Sequence, residues 1–241
     1  MSEPKVNDSR RGELLDNLTA IRQRIATAAQ ASGRQAAEIS LVVVTKYFPA
    51  SDIRLLAELG VSDVGENKHQ EAQAKVADCV GVPVRWHFIG GMQSNKAAAI
   101  ARYADVIHSV DRAKLVPRLD QGAEGREAPL EVLIQVSLDP QGAPNTDRQG
   151  VDPDQVGDLA ELVARSANLV LRGVMAVAPL GQDPKPAFEE LAAIGRDLSM
   201  EHSGATWISA GMSTDLEVAI AAGATHVRVG SGILGPRPSM K

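Results

Sequence analysis

Residues 84–110, VRWHFIGGMQSNKAAAIARYADVIHSV, carry one full turn of the pattern that decides the fold. Val84–Ile89 is a short apolar run that Gly90-Gly91 brings to a stop. An alanine-rich stretch near 94–102 has helical composition, and Asp105–Val110 is a second apolar run. Several of the chain's runs, Leu41–Val44 among them, are nearly continuous apolar stretches, as a parallel strand buried on both faces requires.

Moving outward, the same unit recurs. Apolar runs fall at Leu41–Lys46, Val61–Gly65, Leu130–Val136, Leu169–Val177, Ala205–Ser209 and Thr225–Val229, which makes eight with the two already quoted. Helical stretches separate them near 51–59, 68–78, 112–120, 152–166, 186–200 and 213–222. Eight alternations predict a (β/α)8 TIM barrel, an α/β fold, with a doubly wound open sheet as the competing arrangement. Upstream, Leu14, Leu18, Ile21 and Ile25 recur at helical spacing and predict an extra N-terminal helix over about 11–31, preceded by a flexible tail at 1–10. Asp139–Pro153 (DPQGAPNTDRQGVDP) is rich in Gly, Pro and Asp and reads as a mobile loop. No residue pattern repeats at fixed period and no compositional break marks a linker, so a single domain over 1–241 is expected.

Composition narrows the function. The chain has 241 residues, 44% hydrophobic and 23% charged, which excludes disorder, fibres and disulfide scaffolds. Lys and Arg number 25 against 30 Asp and Glu, a net charge of −5, and only seven residues are aromatic (2 Trp, 2 Tyr, 3 Phe), so no nucleic-acid partner is expected. No apolar run reaches membrane-spanning length, and the polar start MSEPKVNDSRRGELLDNL is unlike a signal peptide. The lone Cys79 suits a reducing cytoplasm and reads as inert filler. Asn17-Leu18-Thr19 is then a chance sequon. His69, His87, His108, His202 and His226 lack ligand-like spacing with carboxylates, so no metal is predicted.

A parallel barrel gathers its strand C-termini on one face, and sites are built there. Those ends here hold Lys46, Gly65-Glu66-Asn67, Gly90-Gly91, Ser109 and Asp111, Ser209, and Arg228-Val229-Gly230-Ser231-Gly232. Lys46 closes LVVVTK; partly desolvated there, its amine is a candidate to condense with an aldehyde, against the plainer reading of a lysine reaching solvent. Ser209-Ala210-Gly211-Met212-Ser213-Thr214-Asp215 and Gly230-Ser231-Gly232 follow strands seven and eight, where this fold frequently binds phosphate through glycine N–H groups and a helix N-terminus. For Ser213 and Thr214, N-capping of the next helix is the alternative. Gly230-Ser231-Gly232-Ile233-Leu234-Gly235 also fits G-x-G-x-x-G, but Pro236-Arg237-Pro238 leaves no helix or second strand for a dinucleotide site. A strand-end lysine facing a phosphate cradle suggests pyridoxal 5′-phosphate (PLP) held as an imine, with a substrate-imine lysine of the aldolase kind also open.

The chain resembles the YggS-like PLP homeostasis proteins, relatives of the barrel domain of alanine racemase. The resemblance rests on Val43-Val44-Thr45-Lys46, Val64-Gly65-Glu66-Asn67…Gln70-Glu71, Trp86-His87-Phe88-Ile89-Gly90…Gln93-Ser94-Asn95-Lys96, Ile107-His108-Ser109-Val110-Asp111, Leu171-Arg172-Gly173-Val174-Met175, and Gly211-Met212-Ser213-Thr214-Asp215-Leu216-Glu217 through Arg228-Val229-Gly230. It implies a barrel carrying PLP on Lys46, with Asn67 beside the cofactor. Ser213, Gly230 and Ser231, with Ser209 nearby, would hold its phosphate, and Arg228 would face the pyridine nitrogen. Gly91-Met92, Ala210, Ser231 and Arg148 depart from the family's usual residues, which bears on the outer pocket and the 139–153 loop.

An arginine facing the ring nitrogen leaves it unprotonated and a poor electron sink, which argues against carbanion chemistry. The other reading has Arg228 pairing with a loop carboxylate. Racemisation needs a second acid/base group on the opposite face. Tyr47 and Tyr103 are the only tyrosines; Tyr47 should point elsewhere by strand alternation, and Tyr103 lies on a helix before strand four. His87 is expected inside the barrel, bonded to a neighbouring strand. The expected function is therefore a cytoplasmic, monomeric PLP carrier that buffers or delivers the cofactor to apo enzymes, with no strong catalysis. A racemase or decarboxylase acting on a small amine is the alternative.

Overall fold

The computed structural model describes residues 3–139 and 150–237. Eight parallel strands close in sequence order into a barrel. They are β1 (Ser40–Val44), β2 (Asp63–Glu66), β3 (Arg85–Phe88), β4 (Val106–Val110), β5 (Leu130–Gln135), β6 (Leu169–Met175), β7 (Trp207–Ser209) and β8 (His226–Val229). Every one lies within, or within one residue of, a run read from the sequence. Closure is made by β8 against β1, with Leu41 opposite Val227 and Val43 opposite Val229. The open-sheet alternative is thereby eliminated.

Around the barrel run α1 (Glu3–Ala31), α2 (Ala50–Glu58), α3 (His69–Asp78), α4 (Ala97–Ala101), α5 (Val116–Ala123), α6 (Val156–Ala164), α7 (Pro184–Glu201), α8 (Leu216–Ala222) and the single turn α9 (Ser231–Leu234). The extra helix is longer than the sequence suggested, taking in residues 3–10 that read as a tail. Apolar periodicity misses this part because it is held by polar contacts: Arg10 donates to Asp52 Oδ2 at 2.7 Å and to the Leu234 carbonyl at 3.0 Å. Leu14, Leu18, Ile21 and Ile25 are buried as the spacing predicted, in a layer shared with β1, β8, α2 and α9. Of the loop expected over 139–153, residues 140–149, Arg148 included, lie outside the described residues; Pro153–Gln155 forms a short 3-10 turn.

Alternation along the strands sends one set of side chains outward to the helices and the other into the barrel. Val43, Val64, Phe88, Ile107, Val174 and Val227 face out and build the two large apolar layers under the helices. The interior is unusually polar. Leu133, Val106 and Met175 form a small apolar group there, beside buried His87, His108, Ser209, His226 and Arg228. Cys79 is buried, its thiol 3.8 Å from the Ala50 carbonyl and pushed up in pKa by burial, so packing rather than reactivity describes it.

His226 supplies a pH prediction. Burial first, helped by the nearby Arg85 and Arg228 guanidiniums, lowers its pKa from 6.5 to about 3. A base that is harder to protonate folded than unfolded contributes stability that is complete above pH 6.5 and is lost as pH falls from there toward 3. At pH 5 this one group is expected to cost about 2 kcal/mol relative to pH 7.5. Urea unfolding at the two pH values, with His226→Gln, checks it: the variant should lose that part of the pH dependence, and an equal slope in both proteins would refute the assignment.

Candidate functional site

Helix C-termini and strand N-termini meet at one end of the barrel; the other end, beyond the strand C-termini, opens into a cavity of about 310 Å³. It is lined by Lys46, Tyr47 and Phe48 after β1, by Met212-Ser213-Thr214 after β7, and by Arg228, Gly230 and Ser231 at the end of β8. Five of the seven residues singled out from sequence, Lys46, Ser213, Arg228, Gly230 and Ser231, thus share one cavity.

Lys46 is half-buried, and among the described residues its amine makes no hydrogen bond or ion pair. The turn that carries it is tightly held. β1 ends at Val44, and Tyr47 takes the left-handed conformation, φ 72°, the only non-glycine among the described residues to do so. A side chain in that region costs of order 1 kcal/mol or more and persists only where the surroundings impose it. Here Glu71 Oε1 accepts the Tyr47 N–H at 2.5 Å. Beneath the turn, Lys75 Nζ donates to Glu71 Oε1 (2.7 Å), Glu66 Oε1 (2.8 Å) and the Thr45 carbonyl (2.9 Å), while the Thr45 hydroxyl donates to Glu66 Oε1 (2.6 Å). Burial raises the Glu66 pKa against the pull of Lys75 and Thr45.

The turn corrects one expectation. Strand alternation no longer applies at Tyr47, because the strand has ended, and its ring lines the same cavity as Lys46. Three cations surround that ring: Lys46 Nζ at 6.0 Å, Lys68 Nζ at 5.5 Å and the Arg237 guanidinium at 4.8 Å from its centre. Such a rim favours an anion.

Across the cavity, Gly211 has φ 91°, and a Cβ there would stand 2.7 Å from Ala219 Cβ; only glycine lets the loop after β7 lie this close to α8. Ser213 does not cap α8. The capping position is Asp215, whose Oδ1 accepts the Met212 N–H at 2.6 Å. Ser213 Oγ instead accepts the Gly232 N–H at 3.3 Å, tying the β7 and β8 loops together. Gly230 passes Val44 so closely that a Cβ would sit 3.1 Å from its carbonyl oxygen. Ser231 opens α9, where its N–H has no acceptor within the helix. The Pro236 stop read from sequence is real, but one helical turn fits before it.

Arg228 is buried at the floor. Nη1 donates to Ser209 Oγ at 2.6 Å and Nη2 to the Ala176 carbonyl at 2.9 Å. Burial lowers its pKa to about 10, so it keeps its charge at neutral pH. Among the described residues no carboxylate stands within ion-pair distance, and Asp215 on the β7 loop acts on it only through its charge. Two sequence-predicted residues lie elsewhere. Ser209 is fully buried, held between Arg228 and His108 Nδ1 (2.9 Å), below the cavity rather than in its wall. Asn67 lines a neighbouring cleft with Lys68, His69, Gln93 and Lys96. Tyr47, Thr214 and Arg237 were not singled out as lining residues; Tyr47 was detectable only as the neighbour of Lys46 ahead of Pro49, and Arg237, between two prolines, carried no signal.

Fold and cavity together define a (β/α)8 barrel with a cationic, lysine-bearing binding site at the C-terminal mouth of its strands. Residues 17–238 match the family model described as alanine racemase, N-terminal domain. The pyridoxal phosphate homeostasis protein of Mycobacterium tuberculosis is 42% identical over 247 residues, 95% of this chain and 94% of that protein. Its Escherichia coli counterpart is 35% identical, covering 95% and 99%. Among solved structures, PipY of Synechococcus elongatus with PLP bound superposes with a TM-score of 0.79 at 30% identity, covering 92% of this chain and all of that one. The chain belongs to the pyridoxal phosphate homeostasis family, built on the alanine racemase N-terminal domain.

Proposed function

We propose that this protein binds PLP as an imine on Lys46 and serves intracellular PLP homeostasis as a cytoplasmic monomer, buffering the aldehyde and passing it to apo enzymes. The observation that carries the reading is the meeting, in one cavity, of an unpaired half-buried lysine with the Ser213, Gly230 and Ser231 loops and a buried arginine. These residues fit the cofactor: an amine for the aldehyde, N–H and hydroxyl donors for the phosphate, and a fixed cation for the ring nitrogen.

When bound, PLP supplies an electrophilic aldehyde and, on a protonated ring, an electron sink. The residues here favour the first and oppose the second. Arg228 holds its charge with both terminal nitrogens engaged, which disfavours a proton on a ring nitrogen facing it. The Lys75 cluster holds the Lys46 turn, and the Ser213–Gly232 bond closes the anion cradle. Release would come by exchange, an incoming amine taking the aldehyde carbon and Lys46 leaving as the free amine.

The test is transfer. Loaded protein mixed with an apo PLP enzyme should restore that enzyme's activity faster than PLP dissociates by itself; recovery at the rate of spontaneous dissociation would exclude delivery. Deuterium washout from the α-carbon of common amino acids, lost in Lys46→Ala, would instead make it an enzyme.

A further inference from the structure

The barrel interior contains a run of hydrogen bonds that the cavity alone does not explain. It starts at Arg228 on β8, crosses to Ser209 on β7 (2.6 Å), and spans the lumen to His108 Nδ1 on β4 (2.9 Å). His108 Nε2 meets His87 Nδ1 on β3 at 2.8 Å, and His87 Nε2 meets Asp63 Oδ1 on β2 at 2.8 Å. Asp63 is the first residue of its strand, so the run joins the floor of the C-terminal cavity to the opposite mouth of the barrel.

The two ends, together with a single proton on each imidazole, set the direction of every bond. A guanidinium only donates, so Ser209 Oγ accepts; a carboxylate only accepts, so His87 Nε2 carries a proton. With both imidazoles neutral, one arrangement remains: Ser209 O–H donates to His108 Nδ1, and His108 Nε2–H donates to His87 Nδ1. Burial, followed by the nearby Arg228 and Arg85 guanidiniums, where a second positive charge would be repelled, holds His108 well below its usual range and therefore neutral. Asp63 stays ionised because His87, Ser62 and Arg85 outweigh its burial. Changing the last acceptor frees His87 to swap tautomers, and each bond up to Ser209 can then reverse.

We propose that Asp63, His87, His108 and Ser209 are positioning residues forming a one-directional hydrogen-bond relay through the barrel, which locks the Arg228 guanidinium in the orientation that meets the ring nitrogen of PLP. The cofactor half of this inference rests on the function proposed above; the relay does not.

Two measurements test it separately. In PLP-free protein labelled with 15N-histidine, His108 should be an Nε2–H tautomer. Asp63→Ala should convert it to a tautomer mixture, and Asp63→Asn, whose side-chain oxygen still accepts from His87, should restore it. With PLP added, Asp63→Ala and Ser209→Ala should each weaken binding about tenfold and shift the absorption of the bound cofactor, while Asp63→Asn stays near wild type. An unchanged His108 tautomer in Asp63→Ala overturns the relay. Altered tautomers with unaltered PLP affinity and absorption overturn its role at the cofactor. A wild-type protein that takes up no PLP defeats the proposed function and that role together, while the tautomers still decide the relay.

Discussion

Lys46→Ala protein is expected to lose all covalent PLP. Borohydride reduction of the loaded wild-type protein should fix one label on the peptide containing Lys46, and the variant should give background only. Lys46→Arg should behave likewise, since a guanidinium keeps the charge but does not condense with an aldehyde. The effect should be chemical and local: Lys46 is half-buried, without hydrogen bond or ion pair among the described residues, so its removal should change folding stability by about 0.5 kcal/mol or less. Non-covalent retention through the Ser213, Gly230 and Ser231 loops should persist at reduced affinity. A label that migrates to Lys68, the other lysine near Tyr47, would show that the amine has been misassigned. Peptide mass spectrometry reads all of these outcomes.

The largest stability loss is expected at Lys75. Its ammonium is buried, and it bonds two carboxylates and the Thr45 carbonyl, the residue before Lys46. Lys75→Met keeps the bulk and removes the charge, leaving Glu66 buried with its cation gone and its Oε2 already without a hydrogen-bond partner among the described residues. Breaking one side of such a pair costs about 3–5 kcal/mol. Urea denaturation should show a loss of that size, and PLP uptake should fall as well, because the strained Tyr47 turn loses the Lys75–Glu71 support. Adding Glu66→Gln removes the stranded charge and should return part of the stability, without returning the turn. If the double variant is as unstable as the sum of the singles, the two residues do not act as a pair.

The barrel was legible because short runs rich in apolar and β-branched residues, several of them nearly continuous, alternate eight times with helical stretches, which local composition reports directly. The shared position of Lys46, Ser213, Arg228, Gly230 and Ser231 at one mouth was legible because a parallel barrel delivers strand C-termini to one face whatever the side chains. Ser209 was misread for the same reason. Its place at the end of β7 is correct, but alternation turns it into the lumen under Arg228, and one strand position separates wall from floor. Tyr47 failed because periodicity holds only to Val44, and the left-handed turn after it is imposed by Glu71, 24 residues on. The relay had no local signal at all. His87, His108 and Ser209 lie in separate strands, and only closure of the barrel brings β4 against β7 across the lumen.

The mouth where Asp63 sits is stoppered. Glu131 bonds both Arg85 and Arg172, and these two cations stand 5.9 and 5.4 Å from the ring of Trp207, which itself lies tilted against His226 with ring centres 4.3 Å apart. The cavity lies at the other mouth, so under the proposed function PLP would arrive and depart there. Under that proposal, loading and unloading would compete for the same threshold, and a recipient docked there would shut out fresh cargo until it leaves.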